Sequence, residues 1–208
     1  DNATRQGVML SRRLGLAEAR GDLIALIDAD DFAEPQRFER QVAFLAAHAD
    51  HILVGSALRF VDDESRTIGF RSYPEHDHDI KRRMIELNCI AQPSVMARRN
   101  ALLEAGSYTP EFEWAEDYDL WLRAARLGKF HNLPEALTAY RIHKDAGKNT
   151  RLKPALRDKI RLEIHATRHY GYPLTPRLAL NIAAHCALVP LPSPFILWLF
   201  KRVMRLEM

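Results

Sequence analysis

The chain reads GDLIALIDADD from Gly21 to Asp31, an apolar run that ends at three carboxylates. Because the run is unbroken rather than alternating, it predicts a strand over Leu23–Ile27 that is buried on both faces, as in a parallel sheet. Gly7–Arg20 before it has helical spacing, and Pro35 after it stands where helices often start. The stretch therefore predicts one helix–strand–helix step of an α/β fold, with an acidic loop after the strand.

Strand and helix patterns continue to alternate along the chain. Strands are expected at 52–61, 67–73, 94–98, 130–133 and 137–142, and further helices at 79–87, 99–105, 116–127, 152–169 and 175–188. The helix after Pro35 is expected to bury Phe38, Val42 and Leu45. The pattern predicts an α/β class with a mostly parallel sheet flanked by helices. We expect one main domain over residues 1–150 and a helical extension over residues 151–208.

Charge is unevenly distributed between these two parts. Residues 1–140 carry 17 Lys/Arg and 23 Asp/Glu, whereas residues 141–208 carry 13 Lys/Arg and 4 Asp/Glu. An acidic body favours a bound cation, and a basic tail suits phosphate or lipid headgroups. A solvated basic helix face explains the tail equally well. Nucleic acid is not among the partners that we expect.

The apolar stretch Cys186–Phe200 is interrupted by Pro190, Pro192 and Pro194, so it is too short and too broken for a membrane span. It suits docking on a bilayer surface, with its basic neighbours among the headgroups: Lys201, Arg202 and Arg205. We therefore expect a cytoplasmic protein with peripheral contact to the cytoplasmic membrane face.

The two cysteines, Cys89 and Cys186, lie far apart in apolar surroundings and lack the spacing of metal ligands. Two buried thiols in a reducing compartment are the simplest interpretation. No signal-peptide pattern is present in the sequence.

The acids that end the opening stretch form the first candidate site. Asp28, Asp30 and Asp31 repel one another unless a cation or solvent offsets their charge. Open α/β sheets bind ligands beyond the carboxyl ends of their strands. An Asp-x-Asp there can hold Mg²⁺ or Mn²⁺, which keeps waters and takes phosphate oxygens from a substrate. The alternative is an acidic turn at the N-terminus of the following helix.

A second candidate is the segment WAEDYDLW, from Trp114 to Trp121, where Glu116 and Asp117 begin a helix beside aromatic residues. A carboxylate placed there can take a proton from an acceptor hydroxyl. The aromatic rings can stack on the faces of sugars. Ordinary helix capping, with Trp121 in the core, is the competing interpretation, and this segment alone favours it.

Two weaker candidates lie at strand ends. The segment YRIH contains Arg141, which can contact phosphate, and His143, which can ligate a metal, although most single histidines are structural. The segment QPSVM contains Pro93 and Ser94, which can shape an acceptor pocket or merely lead into a strand.

Together these segments resemble the family 2 glycosyltransferases of the GT-A fold. The matching segments, in order, are Gly7–Arg13, Gly21–Asp31, Pro93–Met96, Gly106–Tyr108, Glu116–Arg123 and Tyr140–His143. A single Asp-x-Asp is weak support, because such tripeptides are common. The family segments in this order and rough spacing are hard to obtain by chance, and the resemblance covers roughly residues 5–145.

The resemblance implies an inverting glycosyltransferase of the hexosyltransferase type, with Mn²⁺ or Mg²⁺ as cofactor. The donor would be a nucleotide sugar, with a UDP-sugar as the family-level expectation. The acceptor would be a glycan or a lipid-linked sugar. A role in the biosynthesis of surface polysaccharide in the cell envelope follows from the same resemblance.

Roles for individual residues follow from their match to the family segments. Contact with the nucleotide sugar is implied for Asp28, Asp30 and Arg12. Metal binding is implied for Asp30, Asp31 and His143. The catalytic base would be Asp117, supported by Glu116. The acceptor pocket is expected to include Trp114, Pro93 and Ser94.

Family members usually begin with a strand, a helix and a second strand that form the nucleotide pocket. This chain starts at Asp1, about where that unit would end. The resemblance thus implies a GT-A fold that lacks roughly one βαβ unit of about 30 residues at its N-terminus.

Two other functions remain open on the sequence. A nucleotidyltransferase can also place an acid pair after a parallel strand, but it usually carries a phosphate loop rich in Gly and Arg/Lys, and none is visible here. A non-catalytic module would bind glycan or membrane without any effect of nucleotides.

Overall fold

The computed structural model describes residues 7–143 and 152–204. The strands are β1 (Leu23–Ala25), β2 (Phe32–Ala33), β3 (His51–Val61), β4 (Thr67–Arg71), β5 (Met96–Arg98) and β6 (Lys129–Arg141). The helices are α1 (Val8–Glu18), α2 (Arg37–Ala47), α3 (Asp77–Arg83), α4 (Arg99–Glu104), α5 (Glu116–Ala124), α6 (Leu152–His169), α7 (Pro176–Leu188) and α8 (Ser193–Met204). A short 3₁₀ turn at Gln92–Ser94 precedes β5.

The strands form one sheet in the order β1-β5-β3-β6-β2, and β4 pairs with β3 outside this path. The α/β class with helices flanking the sheet is confirmed. The expected mostly parallel sheet is corrected to a mixed one, because among the strands of the described residues only the β3–β6 pair is parallel. Part of the reason is local: β4 follows β3 through the turn at 62–66, and strands joined by so short a turn must run antiparallel.

The main core lies where α5 packs between the sheet and α6. Leu53, Trp121 and Phe130 are fully buried there, and Leu162 of α6 and Leu178 of α7 belong to the same apolar cluster. Burying such large side chains supplies the main stabilisation of the fold. Helix α6 thus shares the core of the sheet, while the expected domain boundary at residue 150 lies outside the described residues and stays a prediction.

The opening apolar run is shorter and less buried as a strand than expected. Only Leu23–Ala25 is a strand, and its pairing within the described residues is antiparallel to β5. Its residues are half-buried or exposed, and Ile27 keeps 45% of its surface exposed. The prediction of burial on both faces was wrong, because β1 pairs with one strand among the described residues and its side chains lack neighbours on the other side.

Helix α2 buries a different face from the predicted one. Phe38 and Val42 are about half exposed, whereas Arg37 and Gln41 join Leu45 in the interior. The two polar side chains face the sheet because they bind its carbonyl groups: Arg37 donates to Leu26 O and Val95 O, and Gln41 donates to Val54 O and Ser94 O. Hydrophobic spacing alone could not reveal this arrangement.

Three further expectations needed adjustment. The strands expected at 130–133 and 137–142 are one strand, β6, in which two residues bulge between the pairs Ser56–Leu133 and Ala57–Ala136. Helix α3 begins two residues earlier than expected and ends at Arg83. Of the two cysteines, Cys89 is buried but Cys186 is exposed on α7.

The C-terminal helices expose apolar side chains. Leu174, Leu180, Phe195 and Trp198 keep between 47% and 72% of their surface exposed. None of the helices in the described part of the chain is long and apolar enough to cross a membrane. Arg205, one of the basic residues expected at a bilayer, lies outside the described residues.

Candidate active site

A cleft of about 980 Å³ opens where the loop after β1 meets the N-terminus of α5. Most of the predicted site residues line it: Arg12, Asp28, Asp30, Pro93, Trp114, Glu116 and Asp117. Residues more than 80 positions apart are thus brought to one surface. Asp31, Ser94 and His143 are not part of the lining.

Arg12 of α1 joins the two acidic segments. Its Nη2 lies 2.7 Å from Asp28 Oδ1, and its Nη1 lies 2.6 Å from Glu116 Oε1. All three side chains are mostly shielded, with 22%, 37% and 13% of their surfaces exposed. Because one guanidinium satisfies both carboxylates, the loop after β1 and the start of α5 are held together as a single site.

Gln92 supports this bridge, although no sequence pattern drew attention to it. Its side-chain oxygen accepts from Arg12 Nε at 3.1 Å and from the Tyr108 hydroxyl at 3.0 Å, in the amide orientation that satisfies both partners. Gln92 belongs to the 3₁₀ turn before β5, so a third element fixes the position of the guanidinium.

Asp117 lies on the first turn of α5, half-buried in the cleft wall. Its Oδ1 accepts from the backbone N–H of Tyr118 at 2.7 Å, and its Oδ2 accepts from Asn88 Nδ2 at 3.2 Å. Burial raises the pKa of this carboxyl, and the two hydrogen bonds with the charge of Arg12 oppose the rise. Asp117 forms no ion pair within the described residues. Because its pKa is raised, its carboxylate is a stronger base than that of an ordinary aspartate. Asn88 was not predicted from the sequence.

Glu116 differs from its neighbour because it holds Arg12 directly. Burial raises the pKa of Glu116, and the negative charge of Asp117 raises it further. The two adjacent carboxyls therefore lie in the same part of the cleft. Glu116 forms an ion pair with Arg12, whereas Asp117 has none within the described residues.

Asp30 and His143 are close together, as the metal prediction required. His143 Nε2 lies 3.1 Å from Asp30 Oδ2, and its Nδ1 lies 2.8 Å from Asp63 Oδ1. Hydrogen bonds to Asp63 and then to Asp30 raise the pKa of His143. About half of the Asp30 and His143 side chains is exposed, so both are open to solvent and ligands.

Asp31 is placed differently from the other acids of its loop. Only 8% of its surface is exposed, and its Oδ1 accepts from the backbone N–H of Arg141 at 2.9 Å. Burial, then the charges of Asp28 and Asp30, raise the pKa of Asp31 to about 6, against the hydrogen bond from Arg141. The geometry makes it a buried contact between the loop and β6, not an exposed ligand facing the cleft.

The predicted acceptor residues also divide into residues that line the cleft and one that is buried in the core. Trp114 is 38% exposed and lines the cleft together with Pro93. Ser94 is fully buried, donating to Ala91 O at 2.9 Å and accepting from the Ser56 N–H at 3.1 Å. Its placement in the acceptor pocket is corrected, because the 3₁₀ turn directs its hydroxyl to backbone groups of the core.

Arg141 does not face the cleft either. Its guanidinium donates to the carbonyl oxygens of Asp62 and Asp63 at 2.7 and 2.9 Å and to Ser65 Oγ at 3.0 Å. These bonds hold the turn between β3 and β4, so the geometry does not support the suggested phosphate contact.

The acids of the cleft are compatible with a divalent cation bound largely by substrate. No group of three or more His, Cys, Asp or Glu side chains in the described residues is arranged to hold a metal. Mg²⁺ and Mn²⁺ need only one or two protein carboxylates when phosphate oxygens and water complete their coordination. Asp30, with one carboxylate oxygen not engaged by His143, meets that requirement, and Asp28 stands beside it in the lining.

Two solved structures are similar to this fold. A mannosyltransferase from Pyrobaculum calidifontis in complex with GDP-Man and Mn²⁺ matches with a TM-score of 0.56 and 15% identity, covering 93% of this chain and 52% of the other. TarS of S. aureus in complex with UDP-GlcNAc matches with a TM-score of 0.55 and 16% identity, covering 86% and 58%. At these identities the likeness shows the fold alone, and it confirms the GT-A architecture.

Curated relatives are closer in sequence. The O-antigen biosynthesis glycosyltransferase WbnJ of Escherichia coli is 32% identical over 131 residues, covering 62% of this chain and 50% of the relative. The amylovoran biosynthesis glycosyltransferase AmsE of Erwinia amylovora is 31% identical over 147 residues, covering 66% and 54%. The putative glycosyltransferase EpsE of Bacillus subtilis is 32% identical over 189 residues, covering 84% and 62%.

The chain spans about half the length of the first two of these relatives. The family model for glycosyl transferase family 2 matches residues 1–106, which include α1, the loop after β1 and β5. That match extends over half of the chain and agrees with the order of segments identified above. The chain belongs to glycosyl transferase family 2.

Proposed function

We propose that the chain carries the catalytic centre of an inverting glycosyltransferase, which moves a sugar from a nucleotide-sugar donor to a glycan or lipid-linked acceptor. The observation that carries the proposal is the Arg12 bridge between Asp28 and Glu116. It places the acids expected to serve the donor and the acids expected to serve the acceptor in one cleft. A displacement reaction needs both groups at one reacting centre.

In the proposed reaction Asp117 takes the proton of an acceptor hydroxyl. The freed oxygen attacks the anomeric carbon of the donor and forms the new glycosidic bond. The bond between that carbon and the diphosphate oxygen breaks, and its electron pair leaves with the nucleoside diphosphate. A single attack from the opposite face inverts the anomeric centre, and burial suits Asp117 to the role because it makes the carboxylate more basic.

Asp30, with Asp28 beside it, would hold Mn²⁺ or Mg²⁺ together with the donor diphosphate. The bound metal supplies Lewis-acid stabilisation of the charge that develops on the leaving diphosphate. His143 is placed to orient Asp30 through its 3.1 Å contact. We do not assign Asp31 to the metal, because its carboxylate is buried against β6. The UDP-sugar remains the expected donor class.

Trp114 and Pro93 support an acceptor site in the same cleft. An exposed indole on the cleft wall offers an apolar face on which a sugar ring can stack. The O-antigen and amylovoran relatives favour a polysaccharide acceptor, which is consistent with a cytoplasmic enzyme of cell-envelope biosynthesis.

Peripheral membrane contact is proposed for the C-terminal helices. Phe195 and Trp198 are both about half exposed, with ring centroids 5.7 Å apart on α8. Exposed aromatic residues beside basic ones bind anionic bilayer surfaces. Flotation with anionic vesicles should therefore be reduced by Phe195→Ser with Trp198→Ser. Equal flotation of the variant and the parent chain would contradict the contact.

Nucleotide binding tests the proposed function. Thermal unfolding would be recorded with UDP, GDP, dTDP and CDP, each with Mn²⁺ and with EDTA. A ligand present at about 100 times its Kd adds about 2.7 kcal/mol to the free energy of unfolding, or several degrees in Tm for a chain of this size. A shift with one nucleotide that requires Mn²⁺ would support the proposal and identify the donor class.

The same experiment, extended to nucleoside triphosphates, distinguishes the proposed transfer from the alternative functions. A non-catalytic module that binds glycan or membrane should show no nucleotide-dependent shift under any condition. A nucleotidyltransferase should be stabilised by nucleoside triphosphates and should release diphosphate from them. Either result would contradict the proposed transfer.

A further inference from the structure

Arg71, the last residue of β4, lines the cleft but has no ion pair or hydrogen bond to its guanidinium within residues 7–143 and 152–204. Its side chain is half-buried. Its recorded contact is with Tyr73, whose ring centroid lies 5.0 Å from the guanidinium carbon.

The other cations of the cleft lining are neutralised. Arg12 holds two carboxylates, at 2.7 and 2.6 Å, and Lys159 is paired with the buried Glu163 of the same helix. Arg71 is therefore the cation of the described lining that keeps its binding capacity for a ligand.

Contact with the Tyr73 ring does not prevent the Arg71 guanidinium from binding an anion. A guanidinium over a ring is attracted by the π electrons, while its N–H groups remain available to other acceptors. A guanidinium offers five donors in a planar fork that matches a carboxylate or a phosphate. Partial burial removes water from these donors, so an oxyanion that binds them replaces the lost hydration.

Tyr73 adds a neutral donor at the same place. Its hydroxyl has no hydrogen-bond partner among the described residues, and Tyr73 lines the cleft beside Arg71. Burial raises the pKa of Tyr73, against the charge of Arg71, so the hydroxyl stays protonated and can donate. A cation with a neighbouring hydroxyl donor suits an anion, whereas the acids elsewhere in the cleft repel one.

We propose that Arg71 and Tyr73 form an oxyanion-binding subsite that recognises a carboxylate or phosphate group on a ligand of the cleft. The inference rests on the proposed function and deepens it, because it means that one substrate of the transfer presents such a group at this wall. Two sources share this chemistry: an acidic or phosphorylated acceptor sugar, and the diphosphate of the donor.

The test measures binding of four probes to the full chain by calorimetry: methyl glucuronide, glucose 6-phosphate, the neutral methyl glucoside, and UDP with Mn²⁺. The variants are Arg71→Gln, Arg71→Lys and Tyr73→Phe. The matched control is Arg66→Gln, which removes the same charge from the turn between β3 and β4, where Arg66 is 70% exposed and paired with Asp62. Unchanged Tm values would show that each variant folds.

The subsite predicts that the wild-type chain prefers an anionic probe to methyl glucoside. Arg71→Gln should weaken binding of that probe by about 10- to 100-fold, the usual loss for a hydrogen bond to a charged group. Arg71→Lys should lose less than Arg71→Gln because it keeps the charge but not the fork. Tyr73→Phe should lose the least, and Arg66→Gln should bind as the wild type does.

The probe that responds identifies the source of the oxyanion. A selective loss of glucuronide or glucose 6-phosphate binding assigns the group to the acceptor, and a selective loss of UDP binding assigns it to the donor. No preference for anions in the wild type, or equal binding by Arg71→Gln, would overturn the subsite. Anion preference without any nucleotide-dependent stabilisation would instead overturn the proposed function and leave the subsite standing.

Discussion

Asp28 and Asp30 of the loop after β1 line one cleft with Asp117 at the start of α5, but their partners are of different kinds. Asp28 and Asp30 each contact a basic side chain from a distant part of the chain, Arg12 and His143 respectively. Asp117 contacts an amide and a backbone N–H instead. The first pair thus faces basic side chains, whereas Asp117 has no ion pair within the described residues and burial raises its pKa.

The difference separates two kinds of chemistry. Carboxylate oxygens that line the cleft, such as those of Asp28 and Asp30, suit the binding of a cation that also takes phosphate oxygens. A buried carboxylate without an ion pair suits proton transfer, because its basicity is higher. Arg12 holds the loop after β1 and the start of α5 together through Asp28 and Glu116. The cleft can therefore combine cation binding and proton transfer at one reacting centre.

The largest expected effect is on turnover. Asp117→Asn keeps the shape and the contact to the Tyr118 N–H but removes the base, so turnover should fall by about 10²- to 10⁴-fold. Nucleotide binding should hardly change. The measurement is release of nucleoside diphosphate at saturating donor, with Glu104→Gln on α4 as a charge-matched control. Unchanged turnover would remove Asp117 from its assigned role.

The second effect contrasts two neighbouring acids of one loop. Asp30→Asn should weaken Mn²⁺-dependent nucleotide binding by about 10- to 100-fold, because a direct ligand contributes at least as much as an outer-shell partner. Asp31→Asn should leave that binding close to the parent value, since Asp31 faces β6. Titration of nucleotide in the presence of Mn²⁺ separates the two. Equal losses in both variants would mean that the metal reaches Asp31.

The third effect concerns the stability of the fold. Because the folded-state pKa of Asp31 is about 6, above its ordinary 3.8, the folded chain binds this proton more tightly than the unfolded chain. Stability from this group is therefore present at low pH and lost as pH rises through about 6.

Asp31→Asn should then raise the free energy of unfolding by about 1–3 kcal/mol near pH 8 and by about a third of that near pH 4.5. Denaturant unfolding at the two pH values measures this, with the exposed Asp22→Asn as the control. A destabilised variant at the higher pH would show that the ionised carboxylate is needed in the fold.

The smallest expected effect is on the pH dependence of kcat/KM. Because burial raises the pKa of Asp117, kcat/KM should fall on the acid side at a pH above the ordinary aspartate value. The acid limb should be absent from the residual activity of Asp117→Asn. A limb that persists in this variant belongs to another group, such as Glu116.

Local patterns predicted the α/β class and the segments that form the site. The apolar run before Asp28, the acids at the start of α5 and the family spacing were all visible in the sequence. They are local features, and each needs only a few neighbouring residues to be recognised. Their convergence in one cleft could be expected only from the resemblance.

The sequence did not reveal features that depend on contacts between distant residues. Arg37 and Gln41 are polar yet buried, because they bind carbonyl groups of strands that hydrophobic spacing cannot locate. Asp30 and Asp31 are adjacent and chemically identical, and only the position of β6 decides which one is exposed. Asn88 and Arg71 stand in no motif, and their places in the cleft follow from the fold alone.

Anomeric NMR during turnover shows directly whether the sugar is transferred with inversion. The wild-type chain would be incubated with the nucleotide sugar chosen by the binding experiment, Mn²⁺ and soluble oligosaccharide acceptors. We expect that nucleoside diphosphate is released in step with a new glycosidic bond of inverted anomeric configuration, and only with the metal present. Retained configuration, or formation of a nucleotidyl product with release of inorganic diphosphate, would contradict it.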